Sequence, residues 1–320
     1  MLLIRTCAKF YSSAPFKLNV ALVGKLRKEM ECSISKAKDA LTSTKNDYDA
    51  AIEWLKNDQL ASAAKKQEKL SSRIAVEGLI GISVHEAGIN ASLVELNCET
   101  DFVAKSPAFV DLVSRIANTA VLYETGTGQE IISPIDIESL SKRNIVDSEE
   151  SLKAAEEQKT IQEACTQVIG KLGENIKLRR GFIGHQVGLE PLIFGGYAHT
   201  SAGLPSGLGR LGSLVCLKSS GKLSFDQRKE LAGFAKKIAQ HVSGFAPQSI
   251  GPSEGVPEES VLLNQPYLFG GGTITEILQK QSESLNTKLS IIDIKRYECG
   301  EGLEKKVDNF AEEVMAQIKN

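Results

Sequence analysis

Two helical segments of the chain carry the same apolar spacing, and each follows a pair of strand-like segments. Their apolar residues recur at intervals of three and four, as one face of an α-helix requires. The two sets are Phe109, Leu112, Val113, Ile116, Ala117 and Ala120, and Leu231, Phe234, Ala235, Ile238, Ala239 and Val242. An amphipathic helix beside a strand pair buries its apolar face on that pair. The spacing therefore predicts two related α+β subdomains, each an antiparallel sheet covered by a helix.

Alternating side chains define the strands of both predicted subdomains. Residues 80–84 alternate between apolar and polar or small side chains, a turn follows near Gly88, and residues 92–98 alternate again. This pattern is typical of a β-hairpin. The second pair lies at residues 197–199 and 211–217, on either side of a glycine-rich reversal.

The N-terminal part of the chain predicts a small helical module. Three short helical patterns follow one another from Asn19 to Asp58, and each is too short to be stable alone. We expect them to form a three-helix bundle, with Asp47 as the cap of the third helix.

The fold class that we expect for the whole chain is α+β. Its predicted segments are a presequence at 1–18, the three-helix module at 19–58, a helical linker at 59–76, a first α+β subdomain with a polar insertion at 77–172, and a second α+β subdomain with a C-terminal strand and helix at 173–320.

The predicted presequence is of the mitochondrial type. It contains Arg5, Lys9 and Lys17 together with several hydroxyl residues, and the first carboxylate of the chain is Glu29. A basic, hydroxyl-rich start without acidic residues is typical of mitochondrial targeting peptides. The alternative is a frayed basic terminus. We expect the protein in the mitochondrial matrix.

Composition limits the partners that we expect. A formal net charge of −2 and a pI near 6.2 argue against direct binding of nucleic acid, which needs clustered lysine and arginine. We also expect no membrane-spanning segment. The six cysteines lack CxxC pairs and the four histidines lack metal-ligand spacing. We therefore expect no metal, no cofactor, and cysteines that act as small buried apolar residues.

One glycine pattern has to be tested against a different class of protein, a Rossmann-type oxidoreductase. Gly207, Gly209 and Gly212 fit the spacing GxGxxG, which cradles a pyrophosphate when it follows a strand and opens a helix. Here the glycines precede a strand at residues 214–217. We therefore interpret them as a flexible turn. No GxxxxGK[ST] sequence occurs, so we do not expect a P-loop for ATP or GTP.

The segment NCETDFVAKSPAF, residues 97–109, places an aromatic residue between a strand and a helix. Ser106 and Pro107 are suited to the N-cap and first position of that helix. Connections usually run over the surface, so Phe102 either folds back onto the core or is held out for a partner. The residue pattern alone leaves both alternatives open.

The sequence around Phe102 resembles the signature of a known family. Thr100, Asp101, Phe102 and Val103 match the TDFV core of the elongation factor Ts family, and the chain resembles mitochondrial members of that family. Residues 26–56 resemble the family's N-terminal module, which has a ubiquitin-associated-like fold of three helices. Later blocks of the family are resembled, in the same order, by LGENIKLRR, YAHT, KKIAQHVSGFAP, LLNQPY and CGEGLEKKVDNFAEEV.

The resemblance implies a guanine-nucleotide exchange factor for mitochondrial elongation factor Tu, without covalent chemistry. In the family, the TDFV loop meets the GTPase domain of that partner. Its phenylalanine enters between helices near the magnesium of the nucleotide, and GDP then leaves. Carried over to this chain, Phe102 is the wedge, Asp101 is a polar contact that orients it, and Thr100 and Val103 are its frame.

The N-terminal module supplies further expected contacts. Leu26, Arg27 and Lys38 are candidates for binding the same partner in a 1:1 heterodimer, although charged residues on a small bundle are usually only solvated. The alternative function is an adaptor. It would bind a partner through the small bundle without any effect on nucleotide exchange.

Overall fold

The structure is a computed structural model of the chain, which divides into two compact units at residues 1–65 and 66–320. The described residues are 16–30, 32–122, 130–146, 159–201 and 203–304. Most of the predicted presequence, parts of the polar insertion and the predicted closing helix beyond residue 304 lie outside these ranges.

Three helices form the bundle of the first unit. They are α1 (Val20–Met30), α2 (Ile34–Ser43) and the first part of α3 (Tyr48–Leu70). Their apolar faces meet in a buried core of Val23, Leu26, Ala37, Ala40, Leu41, Ala51 and Leu55. Ser33 caps α2, and the predicted cap Asp47 accepts a hydrogen bond from the amide of Ala50 at the start of α3.

Helix α3 continues without a break to Leu70. Residues 48–70 contain neither glycine nor proline, so nothing in this stretch ends the helix. The boundary predicted between residues 58 and 59 therefore falls inside one helix, and the predicted bundle and linker share it.

The second unit begins with an antiparallel sheet of five strands. These are β1 (Glu77–Val84), β2 (Ala91–Cys98), β3 (Ile132–Pro134), β4 (Lys177–Gly184) and β6 (Leu208–Gly209), in the order β3-β4-β2-β1-β6. β1 and β2 form the predicted hairpin, with Leu79 opposite Leu96. The helices of this part are α4 (Asp101–Ala104), α5 (Pro107–Val121), α6 (Ile137–Ser141) and α7 (Ile161–Leu172).

Strand β4 belongs to the first sheet, although it follows the predicted subdomain boundary at residue 173. It pairs with β2 and β3. Helix α7 packs on the first core, and Gly173 then ends it in the left-handed conformation with φ 77°. The chain turns back at this glycine, so the next strand adds to the sheet that α7 already covers.

A second antiparallel sheet has three strands, in the order β5-β7-β8. Its strands are β5 (Leu192–His199), β7 (Leu211–Ser219) and β8 (Leu289–Glu298), and its helices are α8 (Phe225–Phe245) and α9 (Ile274–Ser284). β8 is the predicted C-terminal strand, and it completes this sheet by pairing with β7.

The two sheets face each other, and each carries helices on its outer side. Ile80, Leu93, Phe194, Leu214 and Cys216 form the core between the sheets. α5 and α7 contribute to the core outside the first sheet, and α8 and α9 to the core outside the second. The predicted α+β class, with N-terminal helices and antiparallel sheets covered by helices, is confirmed.

A buried serine makes the same contact with the covering helix in both halves. Ser92 Oγ on β2 donates a hydrogen bond to the carbonyl oxygen of Ala117 on α5 at 2.8 Å. Ser213 Oγ on β7 donates to the carbonyl oxygen of Ala239 on α8 at 2.5 Å. Each of these carbonyls also takes part in the main-chain hydrogen bonds of its helix. The additional bond satisfies a buried serine hydroxyl and fixes the distance between the helix and the sheet.

A glycine beneath each helix allows this close approach. A Cβ atom added to Gly81 on β1 would lie 2.8 Å from Val113 Cγ1 of α5. One added to Gly195 on β5 would lie 2.3 Å from the carbonyl carbon of Ala235 of α8. The two subdomains therefore share a glycine–serine arrangement in addition to the helix spacing.

The GxGxxG pattern serves strand packing in this structure. A Cβ on Gly209 would lie 2.1 Å from the carbonyl oxygen of His199, and one on Gly212 would lie 2.7 Å from Ile80 Cγ2. Gly209 ends β6, Gly212 lies within β7, and a strand rather than a helix follows the pattern. These glycines permit close contact between the sheets, and the setting that a Rossmann-type site requires is not formed by them.

Glu95 is a fully buried carboxylate on β2. It accepts hydrogen bonds from Arg179 at 3.0 Å, Arg180 at 2.5 Å, Asn97 at 3.1 Å and the amide of Gly300 at 2.8 Å. Burial raises the pKa of Glu95, but the hydrogen bonds and the positive charge of Arg180 outweigh it and hold the pKa below the ordinary value. This network ties the turn after β8 to the first sheet.

We expect Glu95→Gln to lower the free energy of unfolding by about 2–4 kcal/mol at neutral pH, because it removes the buried counter-charge of Arg179 and leaves Arg180 only its half-exposed pair with Glu301. The matched change Glu138→Gln removes only an exposed pair with Lys142 and should cost less than about 1 kcal/mol. Urea unfolding monitored by circular dichroism measures both.

The difference in stability between the parent and Glu95→Gln should depend on pH. Because the folded pKa of Glu95 is lowered, its stabilising effect is present above the unfolded glutamate pKa and is lost as the pH falls through the folded pKa. The stability difference between parent and Glu95→Gln should therefore shrink on acidification. A difference below about 1 kcal/mol at neutral pH would show that the network does not stabilise the fold.

Two glycine substitutions test the close approach of α8. Gly195→Ala places a methyl group against the backbone of α8 and should destabilise the protein by about 3 kcal/mol. Gly233→Ala, on α8 itself, has no atom within 4 Å of its added Cβ, so it should stabilise by up to about 1 kcal/mol through helix propensity. Similar unfolding midpoints for the two variants would contradict the packing described above.

Candidate functional site

The segment that contains Phe102 is a single helical turn, α4, between β2 and α5. Thr100 is its N-cap and accepts a hydrogen bond from the amide of Val103 at 3.3 Å. Ser106 closes the turn, because its hydroxyl donates to the carbonyl of Val103 at 2.8 Å. Ser106 and Pro107 then begin α5, as predicted. The connection is therefore ordered by its own caps at both ends.

The two sides of α4 face different surroundings. Ala104 is buried, and Val103 packs half-buried against the core outside the first sheet. The side chain of Phe102 is 82% exposed. The alternative in which Phe102 covers the hairpin core is therefore wrong, and the aromatic ring is presented to solvent from a turn whose opposite side is anchored in the core.

Glu174, in the connection between α7 and β4, holds the start of this turn at the same end of the sheet, where the end of β2 pairs with the start of β4. Its carboxylate accepts hydrogen bonds from the Thr100 hydroxyl at 2.6 Å, the Thr100 amide at 3.0 Å and the Glu99 amide at 3.2 Å. Sequence reasoning did not identify Glu174 as a site residue, although it lies in the LGENIKLRR block. The available signal was a carboxylate directly after the helix-ending Gly173.

An exposed ion pair joins Asp101, the residue before Phe102, to Lys105. Lys105 Nζ donates to Asp101 Oδ2 at 2.7 Å, one helical turn along. This hydrogen bond from Lys105 holds the pKa of Asp101 below its ordinary value. The tip of the turn thus offers an apolar ring next to one negative and one positive group.

The predicted contacts of the N-terminal module differ in exposure. Arg27 and Lys38 are exposed on α1 and α2. Leu26 is fully buried in the bundle core, so its side chain stabilises the bundle and is not presented to a partner. Leu26 is part of the apolar stripe with which α1 packs on the other two helices of the bundle.

Other chemistry-bearing residues have structural roles. His241 is buried, and its Nε2 is hydrogen-bonded to Gln265 Oε1 at 3.0 Å. Its Nδ1 accepts a hydrogen bond from the amide of Leu268 at 3.2 Å. Cys165 is buried, and this burial raises its pKa to about 12. Within the described ranges, no group of three or more His, Cys, Asp or Glu side chains is placed to hold a metal ion. No helix in that same part of the chain is long and apolar enough to cross a membrane.

Comparison with known proteins places the turn inside a shared region. The family model described as Elongation factor TS matches residues 99–261, which include Phe102 and Glu174. The protein named elongation factor Ts, mitochondrial, of Coprinopsis cinerea is 34% identical over 288 residues, which is 84% of this chain and 83% of the relative.

Further relatives match over a similar extent. Elongation factor Ts, mitochondrial, of Nematostella vectensis is 34% identical over 299 residues, 88% of this chain and 99% of the relative. Elongation factor Ts of Rickettsia bellii is 32% identical over 336 residues, 93% of this chain and 96% of the relative. The chain belongs to the elongation factor Ts family of translation elongation factors.

Proposed function

We propose that the chain promotes release of GDP from mitochondrial elongation factor Tu, and that Phe102 is the wedge that does so. The observation that supports this is the 82% exposed ring of Phe102 on a capped turn whose opposite side is buried. A single exposed apolar residue is common on protein surfaces and by itself indicates no function. What distinguishes Phe102 is the ordered turn that carries it. An aromatic ring held out by a network of main-chain hydrogen bonds is suited to entering a partner.

The ring can supply the free energy that such a step needs. Burial of a phenylalanine side chain is worth roughly 2–3 kcal/mol, which corresponds to a change of roughly thirty- to a hundredfold in an equilibrium constant. Because α4 is already ordered by Thr100 and Ser106, little of this free energy is lost in ordering the loop on binding.

Promotion of GDP release then follows from linkage. A factor that binds nucleotide-free partner more tightly than GDP-bound partner must weaken GDP binding by the same ratio. The magnesium ion of the partner neutralises the phosphate charge of the nucleotide. A small displacement of the groups around this ion therefore weakens nucleotide binding. No covalent bond to this chain forms or breaks, so the chain acts as an exchange factor without covalent chemistry.

The neighbouring residues have separate roles in this proposal. Asp101, which pairs with Lys105, is the polar contact that orients the ring, and Thr100 and Val103 are its frame. Arg27 and Lys38 are proposed as additional contacts from the N-terminal module. The complex is a 1:1 heterodimer with the GTPase domain of elongation factor Tu, in the mitochondrial matrix.

Substitution of Phe102 tests the proposal. We expect Phe102→Ala to lower the maximal acceleration of GDP release at least about tenfold, because the wedge supplies the free energy described above. The melting temperature should stay unchanged, since the ring is exposed. Release of a fluorescent GDP analogue from mitochondrial elongation factor Tu, measured by stopped flow with the full-length chain, gives the rate.

Phe225→Ala is the matched control for this measurement. Phe225 is 59% exposed on α8, which covers the other sheet, so its loss removes a similar apolar surface away from the turn. It should leave the release rate within about twofold of the parent. Binding of the parent chain without any acceleration of release would contradict the exchange function and favour the adaptor alternative.

A further inference from the structure

Two short segments at one end of the first sheet hold each other by their acidic side chains. The carboxylate of Glu174 accepts the main-chain amides of Glu99 and Thr100 at 3.2 and 3.0 Å. In return, the carboxylate of Glu99 accepts the main-chain amide of Asn175 at 2.7 Å. Hydrogen bonds from amides to charged carboxylates are stronger than those between neutral groups. We name this reciprocal arrangement of residues 99–100 and 174–175 the carboxylate clamp.

The hydroxyl of Thr100 connects the carboxylate clamp to α4. A hydroxyl has one proton to donate, and Thr100 donates it to Glu174 Oε1 at 2.6 Å. The oxygen of the same hydroxyl accepts the amide of Val103 at 3.3 Å. Because Glu174 fixes the direction of the proton, it also fixes the lone pair that caps the helical turn. Glu174 thereby acts on the residue that follows Phe102 without touching Phe102.

The segment that supplies Glu174 is itself fixed. Gly173 ends α7 in the left-handed conformation, with its amide bonded to the carbonyl of Ile169 at 2.8 Å. The side chain of Asn175 donates to the carbonyl of Arg73 at 2.7 Å, just beyond the end of α3. The carboxylate clamp therefore connects α4 to the end of α7 and to the segment around Arg73, all within the second unit.

A four-residue helix is not stable by itself, so the direction of Phe102 depends on such external contacts. We propose that Glu174 is a positioning residue for exchange: its carboxylate holds α4 so that Phe102 enters the partner as a rigid wedge. This inference rests on the proposed function. Without Glu174, the chain should still bind elongation factor Tu, but the ring should transmit less of its binding free energy to the nucleotide site.

The test is a double-mutant cycle on GDP release with the full-length chain. Glu174→Gln retains the shape of the side chain but replaces one accepting oxygen by an amide group. We expect the maximal release rate to fall about tenfold, as for loss of hydrogen bonds to a charged acceptor, with the half-saturating concentration changed less than about twofold. In the Phe102→Ala background, Glu174→Gln should cause little further loss, because it acts through Phe102.

Two companions show that any effect is specific. Glu190→Gln removes an exposed carboxylate that pairs with Lys218 and should behave as the parent. Thr100→Val, which removes the hydroxyl, should reproduce the effect of Glu174→Gln, and Thr100→Ser should restore most of the activity. A parent-like rate for Glu174→Gln, or a loss that adds fully to that of Phe102→Ala, would overturn the positioning role.

A measurement without the partner separates this inference from the proposed function. Amide hydrogen exchange of the free chain, read at Val103, should become at least about tenfold faster in Glu174→Gln than in the parent. Unchanged protection of Val103 would overturn the positioning role even if the parent accelerates GDP release. Failure of the parent to accelerate release would instead refute the exchange function, whatever the result at Val103.

Discussion

The close approach of α5 to the first sheet determines the geometry of the candidate site. Ser92 and Gly81 bring the helix down onto β1 and β2. β2 ends at Cys98 and α5 begins at Pro107, so residues 99–106 connect two ends that are fixed in one packed layer. A short connection between fixed ends has few conformations available. The cap of Thr100 and the carboxylate of Glu174 stabilise one of them.

This conformation separates anchoring from presentation within α4. Val103 and Ala104 belong to the core side of the turn, and Phe102 belongs to the solvent side. The anchoring groups are satisfied by the chain itself, whereas the ring of Phe102 is exposed and is the part of the turn that we propose a partner buries. An ordinary α+β scaffold thus carries an aromatic residue whose turn is anchored in the core while its side chain is exposed.

Local signals predicted much of this fold, and long-range contacts explain what they did not predict. Ser106 with Pro107, and Asp47, were predicted as helix starts from residues close in sequence, and both are confirmed. The burial of Glu95 could not be predicted, because the alternating pattern of β2 is typical of a half-exposed strand and the second sheet covers its other face. Glu174 reaches Thr100 from a different strand connection, so no spacing rule could place it in the site.

The most direct test of the account is the affinity of the full-length chain for elongation factor Tu in two states, nucleotide-free and GDP-bound, measured by isothermal titration calorimetry. The account predicts much tighter binding to the nucleotide-free form, by the same factor by which the chain weakens GDP binding. It also predicts that Phe102→Ala narrows this difference mainly by weakening binding to the nucleotide-free form. Equal affinities of the parent chain for the two states would contradict the account, because a ligand without a preference cannot shift the equilibrium.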